Sequence, residues 1–230
     1  MNILGVIPAR GGSKGIPRKN ILDFCGKPLI TYSIELGNRA VEQGLLRSCI
    51  VSTDDREIAD ISRAAGARTP FLRPAELATS TAKTVDVLLH ALAFLEERGE
   101  SYDAVMLLQP VCPLRTIGDV EQVIRLAETT GAESVISVYK EEYVCDLVSY
   151  RMEGRFGAPL DPDHNKGRRR QEHQALYIRN GSFYLTRTSF LKDTGLIISD
   201  RPALFVMDKQ RSINLDTPED VELLEWALSR

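Results

Sequence analysis

The chain has 230 residues, 43% of them hydrophobic and 27% charged, with a formal net charge of −3. A chain of this size buries a substantial core, and one large α/β domain accommodates it at least as well as two small ones. The slightly acidic balance excludes a general attraction to nucleic acid or to an anionic membrane, so an anionic ligand has to be held by locally placed Arg and Lys. The four cysteines, Cys25, Cys49, Cys112 and Cys145, form no C-x-x-C pair and have no His cluster beside them. They read as free thiols of a reducing, cytoplasmic compartment rather than as zinc ligands or disulfides. The N-terminus enters a strand-like run with neither a charged n-region nor a long apolar h-region, so no signal peptide is expected. No apolar run approaches the ~18 residues of a bilayer span.

In chain order, Ile3 to Ala9 reads as a buried strand and Pro28 to Gln43 as a helix, with Leu29, Tyr32, Ser33 and Leu36 at helical spacing. Ser48 to Thr53 is a second strand, and Arg56 to Ala65 a helix that Gly66 stops. Val85, Leu88, Leu89, Leu92 and Leu95 form one face of a third helix. Ala104 to Leu108 is a buried strand ending at Gln109-Pro110, Asp119 to Thr129 a helix before Gly131, and Ser134 to Tyr139 a further strand. The alternation predicts an α/β fold: a Rossmann-like, mostly parallel sheet with helices on both faces.

From Tyr143 to His164 the pattern breaks into short alternating stretches with Gly154, Gly157, Pro159 and Pro162, which predicts a hairpin-like excursion over 143–164. Asn165 to Gln174 is polar and basic and reads as a loop. Ser182 to Thr186 and Ala203 to Met207 return as strands. Thr217 suits an N-cap, Pro218 the first helical position and Asp220 the first turn of a last helix. With no internal repeat, low-complexity tract or linker, 1–230 reads as one domain.

The segment Ile7 to Asn20 follows the first strand, where open α/β sheets place ligands. Gly11, Gly12 and Gly15 let backbone N–H groups approach a polyphosphate, and Arg10, Lys14, Arg18 and Lys19 supply four cations against its charge. Asn20 can both donate to and accept from a ribose or a base edge. Neither the Walker nor the Rossmann glycine spacing is present. Taken alone, the loop is either an unusual polyphosphate cradle or a solvated turn.

The string Ile7-Pro8-Ala9-Arg10-Gly11-Gly12-Ser13-Lys14-Gly15-Ile16-Pro17-Arg18-Lys19-Asn20 closely resembles the N-terminal signature of the CMP-sialic acid synthetases, or acylneuraminate cytidylyltransferases, whose relatives activate legionaminic, pseudaminic and 3-deoxy-manno-octulosonic acids. Four further stretches resemble later family blocks in the same order: Arg73 to Ala78, Leu107 to Arg115, Arg169-Arg170-Gln171 with Asn180 to Tyr184, and Ser212 to Asp220. The resemblance implies attack by a sugar's anomeric hydroxyl on the α-phosphate of CTP, with Mg²⁺ as cofactor and loss of pyrophosphate. It implies nucleotide contacts from Arg10, Gly11, Gly12, Ser13, Lys14, Lys19, Asn20, Arg73, Ala82 and Thr84. Arg73 corresponds to the arginine at the cytosine ring, and Arg10 and Lys19 to cations at the reacting triphosphate. Gln109 and Arg170 fall where the family meets the sugar, Arg170 also at the reacting phosphate. Arg115 follows the Gln109 turn and either supports it or caps the strand end.

Two departures are visible. Relatives carry D-x-D where this chain has Asn214-Leu215-Asp216; on a strand both side chains face one way and would share one ion. Sialic acid enzymes often place an arginine two residues before Asn180, where this chain has Ile178 and then Arg179. Arg179 is therefore the candidate carboxylate clamp, one residue out of register, and such a shift on a strand changes the face. The resemblance also implies a homodimer, with the 143–164 segment reaching across to its partner. Its partners would be CTP and an acidic sugar, with neither nucleic acid nor membrane. Two other readings stay open: a transferase using another base or an octulosonate-type or other sugar, and a non-catalytic nucleotide-binding paralogue that lost turnover with the second carboxylate.

Overall fold

The computed structural model describes residues 1–12, 15–167 and 175–229. Its elements run β1 (Ile3–Pro8), β2 (Asp23–Phe24), β3 (Lys27–Pro28), α1 (Leu29–Glu42), β4 (Ser48–Ser52), α2 (Arg56–Ala64), α3 (Thr84–Glu96) and β5 (Ala104–Leu107). Then follow α4 (Ile117–Thr130), β6 (Ser134–Glu141), β7 (Tyr150–Glu153), β8 (Phe156–Pro159), β9 (Leu176–Arg187), α5 (Thr188–Thr194), β10 (Ala203–Met207) and α6 (Pro218–Leu228).

Six strands form the main sheet in the order β10-β6-β9-β5-β1-β4. β1 is parallel to β4 and β5, and β10 to β6, whereas β9 runs antiparallel to both β5 and β6. The sheet is thus parallel except for one reversed strand inside it. Successive residues of β1 enter opposite layers, the period of two expected of a strand covered on both faces. Ile3 and Ile7 join Met106, Phe183 and Leu185 beneath Ile30 and Ile34 of α1 and Val120 and Val123 of α4. Leu4 and Val6 join Val105 and Leu107 beneath Leu88, Leu92 and Leu95 of α3 and Leu191 of α5.

Local chemistry sets the helix starts. Thr116 and Asp119 form a capping box at α4, and Thr217 and Asp220 another at α6, where Pro218 takes the first turn. Both predicted starts fall within two residues of those observed.

Two segments differ from expectation and a third agrees with it. β9 begins at Leu176, six residues before the predicted Ser182. Its first residues, Tyr177, Ile178 and Arg179, are exposed, so they carry none of the alternation that marks a half-buried strand. The 143–164 excursion contains the expected hairpin, β7 paired antiparallel with β8, and Met152 and Phe156 on it are 80% and 81% exposed. Asn214-Leu215-Asp216, which the family resemblance puts on a strand, lies in an irregular segment outside the sheet. It is held by the Leu215 N–H donating to the Val111 carbonyl (3.0 Å) and by burial of Leu215 with Ile16, Phe24, Leu29 and Leu224. One fully buried leucine contributes ~1.5–3 kcal/mol, more than a net backbone hydrogen bond at ~1 kcal/mol, so packing rather than pairing fixes this segment. Among the described residues, no helix is long and apolar enough to cross a membrane.

Candidate active site

β1, β4 and β5 all end at one edge of the sheet, and the segments that leave them wall a cleft of about 470 Å³, within the range of small-molecule sites. The first loop contributes Pro8, Arg10, Gly15, Lys19 and Asn20. The stretch between α2 and α3 contributes Arg73, Leu77, Thr79, Ser80 and Ala82, and α3 itself Thr84 and Val87. Gln109, Pro110 and Val111 follow β5, and Asp216 closes the ring. Eight of the residues expected from sequence therefore meet in one cleft: Arg10, Lys19, Asn20, Arg73, Ala82, Thr84, Gln109 and Asp216.

The cations are held mainly by backbone oxygens. Arg10 donates from Nη1 to the Thr79 carbonyl (3.1 Å). Lys19 donates from Nζ to the Leu215 carbonyl (2.6 Å) and pairs with Asp216 Oδ1 (3.2 Å). Asn20, buried, donates from Nδ2 to the Arg10 carbonyl (3.0 Å) and so fixes the loop's entry. Arg73 is only 6% exposed; its Nη1 reaches the Leu77 carbonyl at 3.4 Å, while Nε and Nη2 have no hydrogen-bond partner among the described residues. Burial pushes its pKa down, and the nearby Asp54 carboxylate acts in the opposite direction. Buried guanidinium donors without acceptors are costly, and Arg73 is one of the residues that line the cleft.

Asp216 is 61% exposed at its side chain and accepts from Asn214 Nδ2 (2.6 Å) at Oδ2. Asn214 Oδ1 faces Cys112 Sγ at 3.5 Å. The two residues thus do share a side of the segment, but Asn214 turns its amide nitrogen, not its oxygen, toward Asp216. Among the described residues, no three His, Cys, Asp or Glu side chains gather as a metal cluster.

Other expected residues lie elsewhere. Arg18 does not line the cleft; it pairs with Asp55 and Glu57, and the Asp55 hydrogen bond raises its pKa. Gly11 and Gly12 also stand outside the lining, and the Gly11 N–H donates to Asp54 Oδ1 (3.2 Å). Arg179 is exposed on β9 opposite Val138 and is not among the lining residues; its neighbour Asn180 is buried and accepts at Oδ1 from Ser137 Oγ (2.6 Å). Ser13, Lys14 and Arg170, with Arg168, Arg169 and His173, fall outside the described residues.

Arg115, 7% exposed, donates from Nη1 to the Ser182 carbonyl (2.9 Å) and from Nη2 to Ser33 Oγ (2.5 Å), so these bonds tie β9 to α1 rather than reaching the Gln109 turn. Burial pushes its pKa down to about 10. His90 of α3 packs edge-on against Phe71 (ring centroids 4.7 Å apart). His164 meets the Tyr150 hydroxyl at Nδ1 (2.8 Å).

Sequence reasoning passed over Thr79, Ser80 and Asp54. The first two sit in a hydroxyl-rich run, Thr79-Ser80-Thr81, with no periodicity to mark it. For Asp54 the marker was present: an acidic dipeptide directly after a buried strand stands at the ligand edge of a parallel sheet.

A family model described as cytidylyltransferase matches residues 4–224. The chain is similar to the pseudaminic acid cytidylyltransferase of Campylobacter jejuni subsp. jejuni serotype O:2, with 32% identity over 222 residues, 96% of this chain and 94% of that one. It is also similar to the CMP-N,N'-diacetyllegionaminic acid synthase of Legionella pneumophila, with 30% identity over 239 residues, 100% of this chain and 95% of that one. Among solved structures, a CMP:2-keto-3-deoxy-manno-octonic acid synthetase complexed with CTP superposes with a TM-score of 0.72 over 100% of this chain and 99% of that one, at 18% identity, which speaks for the fold. With the family model spanning nearly the whole chain, and relatives aligned over almost their full length, the chain belongs to the cytidylyltransferases of the CMP-sialic acid synthetase type and is a CTP-dependent nucleotidyltransferase.

Proposed function

We propose that this enzyme transfers CMP from CTP to the anomeric hydroxyl of a nine-carbon 2-keto-3-deoxy acid, releasing pyrophosphate. The observation that carries the reading is the meeting of Arg10, Lys19, Asn20, Arg73, Gln109 and Asp216, drawn from separate parts of the chain, in one cleft of nucleotide size. The names of the two relatives, pseudaminic and legionaminic, support a nonulosonic acceptor.

The sugar oxygen forms a bond to the α-phosphorus as the bond to the pyrophosphate oxygen breaks. Such a transfer asks the protein for positioning and charge neutralisation more than for covalent chemistry. In this reading Arg10 and Lys19 neutralise the triphosphate, Arg73 stands at the base, and Thr84 and the Ala82 backbone line the nucleoside. Gln109, beside Gly181 at the end of β5, presents its amide to the sugar.

Asp216 suits Mg²⁺: it is an accessible carboxylate at the cleft, and Mg²⁺ commonly binds through one or two carboxylates with phosphates and waters. Asn214 then serves to orient that carboxylate. When bound, the ion supplies charge neutralisation on the phosphate oxygens. A homodimer through the 143–164 segment is supported by the exposed Met152 and Phe156, and a monomer by light scattering would remove it. A cytoplasmic setting agrees with the four free thiols.

The test is pyrophosphate release with CTP, Mg²⁺ and a panel of N-acetylneuraminic, pseudaminic, legionaminic and 3-deoxy-manno-octulosonic acids. Release with a nonulosonic acid is expected. Release only with the octulosonate would move the acceptor to eight carbons, and none with any acid would sink the reading.

A further inference from the structure

The carboxyl end of β4 carries a pair of acids that touch the nucleotide cleft from outside it. Thr53, the buried residue after β4, accepts at its carbonyl the Arg73 N–H (2.7 Å), so Arg73 and Asp54 are neighbours by backbone design. Asp54 Oδ1 then accepts the Gly11 N–H (3.2 Å) and stands 3.7 Å from Arg73 Nη2. Next in the chain, Asp55 caps α2 through the Ile58 N–H (3.0 Å) and packs so closely on Gly11 that a Cβ there would lie 2.6 Å from Asp55 Oδ2. The first loop is therefore seated on this acidic pair, and the glycine at position 11 is what permits the close approach.

We infer that Asp54 is a positioning residue that couples the two halves of the CTP site, joining the triphosphate loop at Gly11 to the base-side guanidinium of Arg73. The inference rests on the proposed reading in which Arg73 meets the base. Its physical content is an alignment. Arg73 is buried, two of its nitrogens lack hydrogen-bond partners among the described residues, and Asp54 supplies the nearest anion. A buried cation with one fixed counter-charge holds one orientation at the cleft that it lines. The same carboxylate oxygen takes the Gly11 N–H, so a shift of the loop is felt by the guanidinium.

Simple charge counting predicts the opposite of this role, which makes it testable. An aspartate beside a site for a polyanion should weaken binding, and its neutralisation should tighten it. A positioning role predicts loss on neutralisation. The experiment is calorimetric titration of CTP, and separately of inorganic triphosphate, into wild type, Asp54→Asn, Arg73→Ala and the double variant. Asp54→Asn keeps an acceptor for Gly11 but removes the charge that aligns Arg73. CTP binding is expected to weaken by about tenfold, the scale of one charge-assisted hydrogen bond. Inorganic triphosphate, which has no base, should bind unchanged or tighter. In the Arg73→Ala background the same change should add less than ~twofold, since coupled residues are not additive. Asp54→Ser should repeat the pattern and serves if Asp54→Asn does not fold. Unchanged or tighter CTP binding in the Asp54 variants would overturn the inference, as would equal weakening of CTP and inorganic triphosphate. Failure of every acid in the pyrophosphate assay would defeat the acceptor reading alone, because these titrations contain no acceptor.

Discussion

The contact between Gly15 and Asp216 gives the sharpest test of how the first loop meets the acidic end of the cleft. A Cβ placed on Gly15 would lie 2.8 Å from the Asp216 carbonyl oxygen, a backbone atom that cannot rotate away. An ordinary carbon–oxygen contact is ~3.3–3.6 Å, so Gly15→Ala requires the loop and the Asp216 segment to part by about 0.6 Å. Leu215 and Leu224 anchor one side in the core and Ile16 the other, so the displacement is shared with the loop that carries Arg10 and Lys19. A misplacement of ~1 Å can cost ~10²-fold in rate, and about half that shift implies roughly tenfold. The assay is steady-state pyrophosphate release with CTP varied at saturating acceptor, repeated across Mg²⁺ concentrations. Expected are a roughly tenfold lower kcat/KM for CTP and a higher half-saturating Mg²⁺, with Tm within ~3 °C of wild type because the clash lies outside the core. A kcat/KM within twofold of wild type would refute the argument that this close approach sets the site.

Arg115→Ala removes a buried cation that joins β9 to α1, and is expected to cost ~3–5 kcal/mol, seen as a Tm lower by on the order of 10 °C. Glu141 is held down to about 2, first by the hydrogen bond from Lys209 and then by the Tyr143 N–H, against an ordinary 4.5. Its folded pKa is depressed, so its stabilisation is full above about pH 4.5 and is lost as pH falls toward 2. Thermal melts of wild type and Glu141→Gln should therefore differ at pH 7 and converge below pH 4.5. Asn214→Asp replaces a 2.6 Å hydrogen bond with two facing carboxylates. Melts in EDTA should fall and those in Mg²⁺ recover, with a lower half-saturating Mg²⁺ than wild type; equal melts in both conditions would show that Asp216 meets no ion.

Much of the fold was legible because the main strands are short apolar runs with clear ends. Ile3 to Pro8, Ser48 to Ser52 and Ala104 to Leu107 are buried on both faces, and burial of that kind leaves a local mark. The first half of β9 was hidden because pairing with β6 determines it, and exposed Tyr177 to Arg179 satisfy that pairing with backbone groups alone. Asn214 to Asp216 was assigned to a strand through the family resemblance rather than a local pattern, and here Leu215 is buried against α6 and the first loop rather than in the sheet. The cleft's membership was legible through chain order at the ligand edge and through family blocks. Its internal bonding was not, because which acceptor holds which cation depends on residues about 20 to 200 positions apart.

That bonding explains how a chain of net charge −3 builds a site for a polyanion. A cation paired with a carboxylate presents little net charge, whereas one held by a carbonyl keeps its full charge while losing its freedom. Of the described cations in the first loop, Arg18 is paired with Asp55 and Glu57 and lies off the cleft, so it acts as a strut. Arg10 is held by the Thr79 carbonyl, and Lys19 by the Leu215 carbonyl at 2.6 Å with Asp216 further away at 3.2 Å. Those two, the ones that line the cleft, are fixed mainly by neutral acceptors. The loop's basic composition is thus divided by geometry between structure and ligand, and the division follows from where carboxylates stand at the end of β4 and in the Asn214-Leu215-Asp216 segment. Arg18→Ala should then lower Tm by only a few °C and leave CTP binding within ~threefold, the scale of a largely exposed pair. Arg10→Ala should leave Tm unchanged and weaken CTP binding by more than ~tenfold, as loss of a charge-assisted phosphate contact does. The reverse ranking in a CTP titration would mean that the partner's chemistry does not decide which cations serve the ligand.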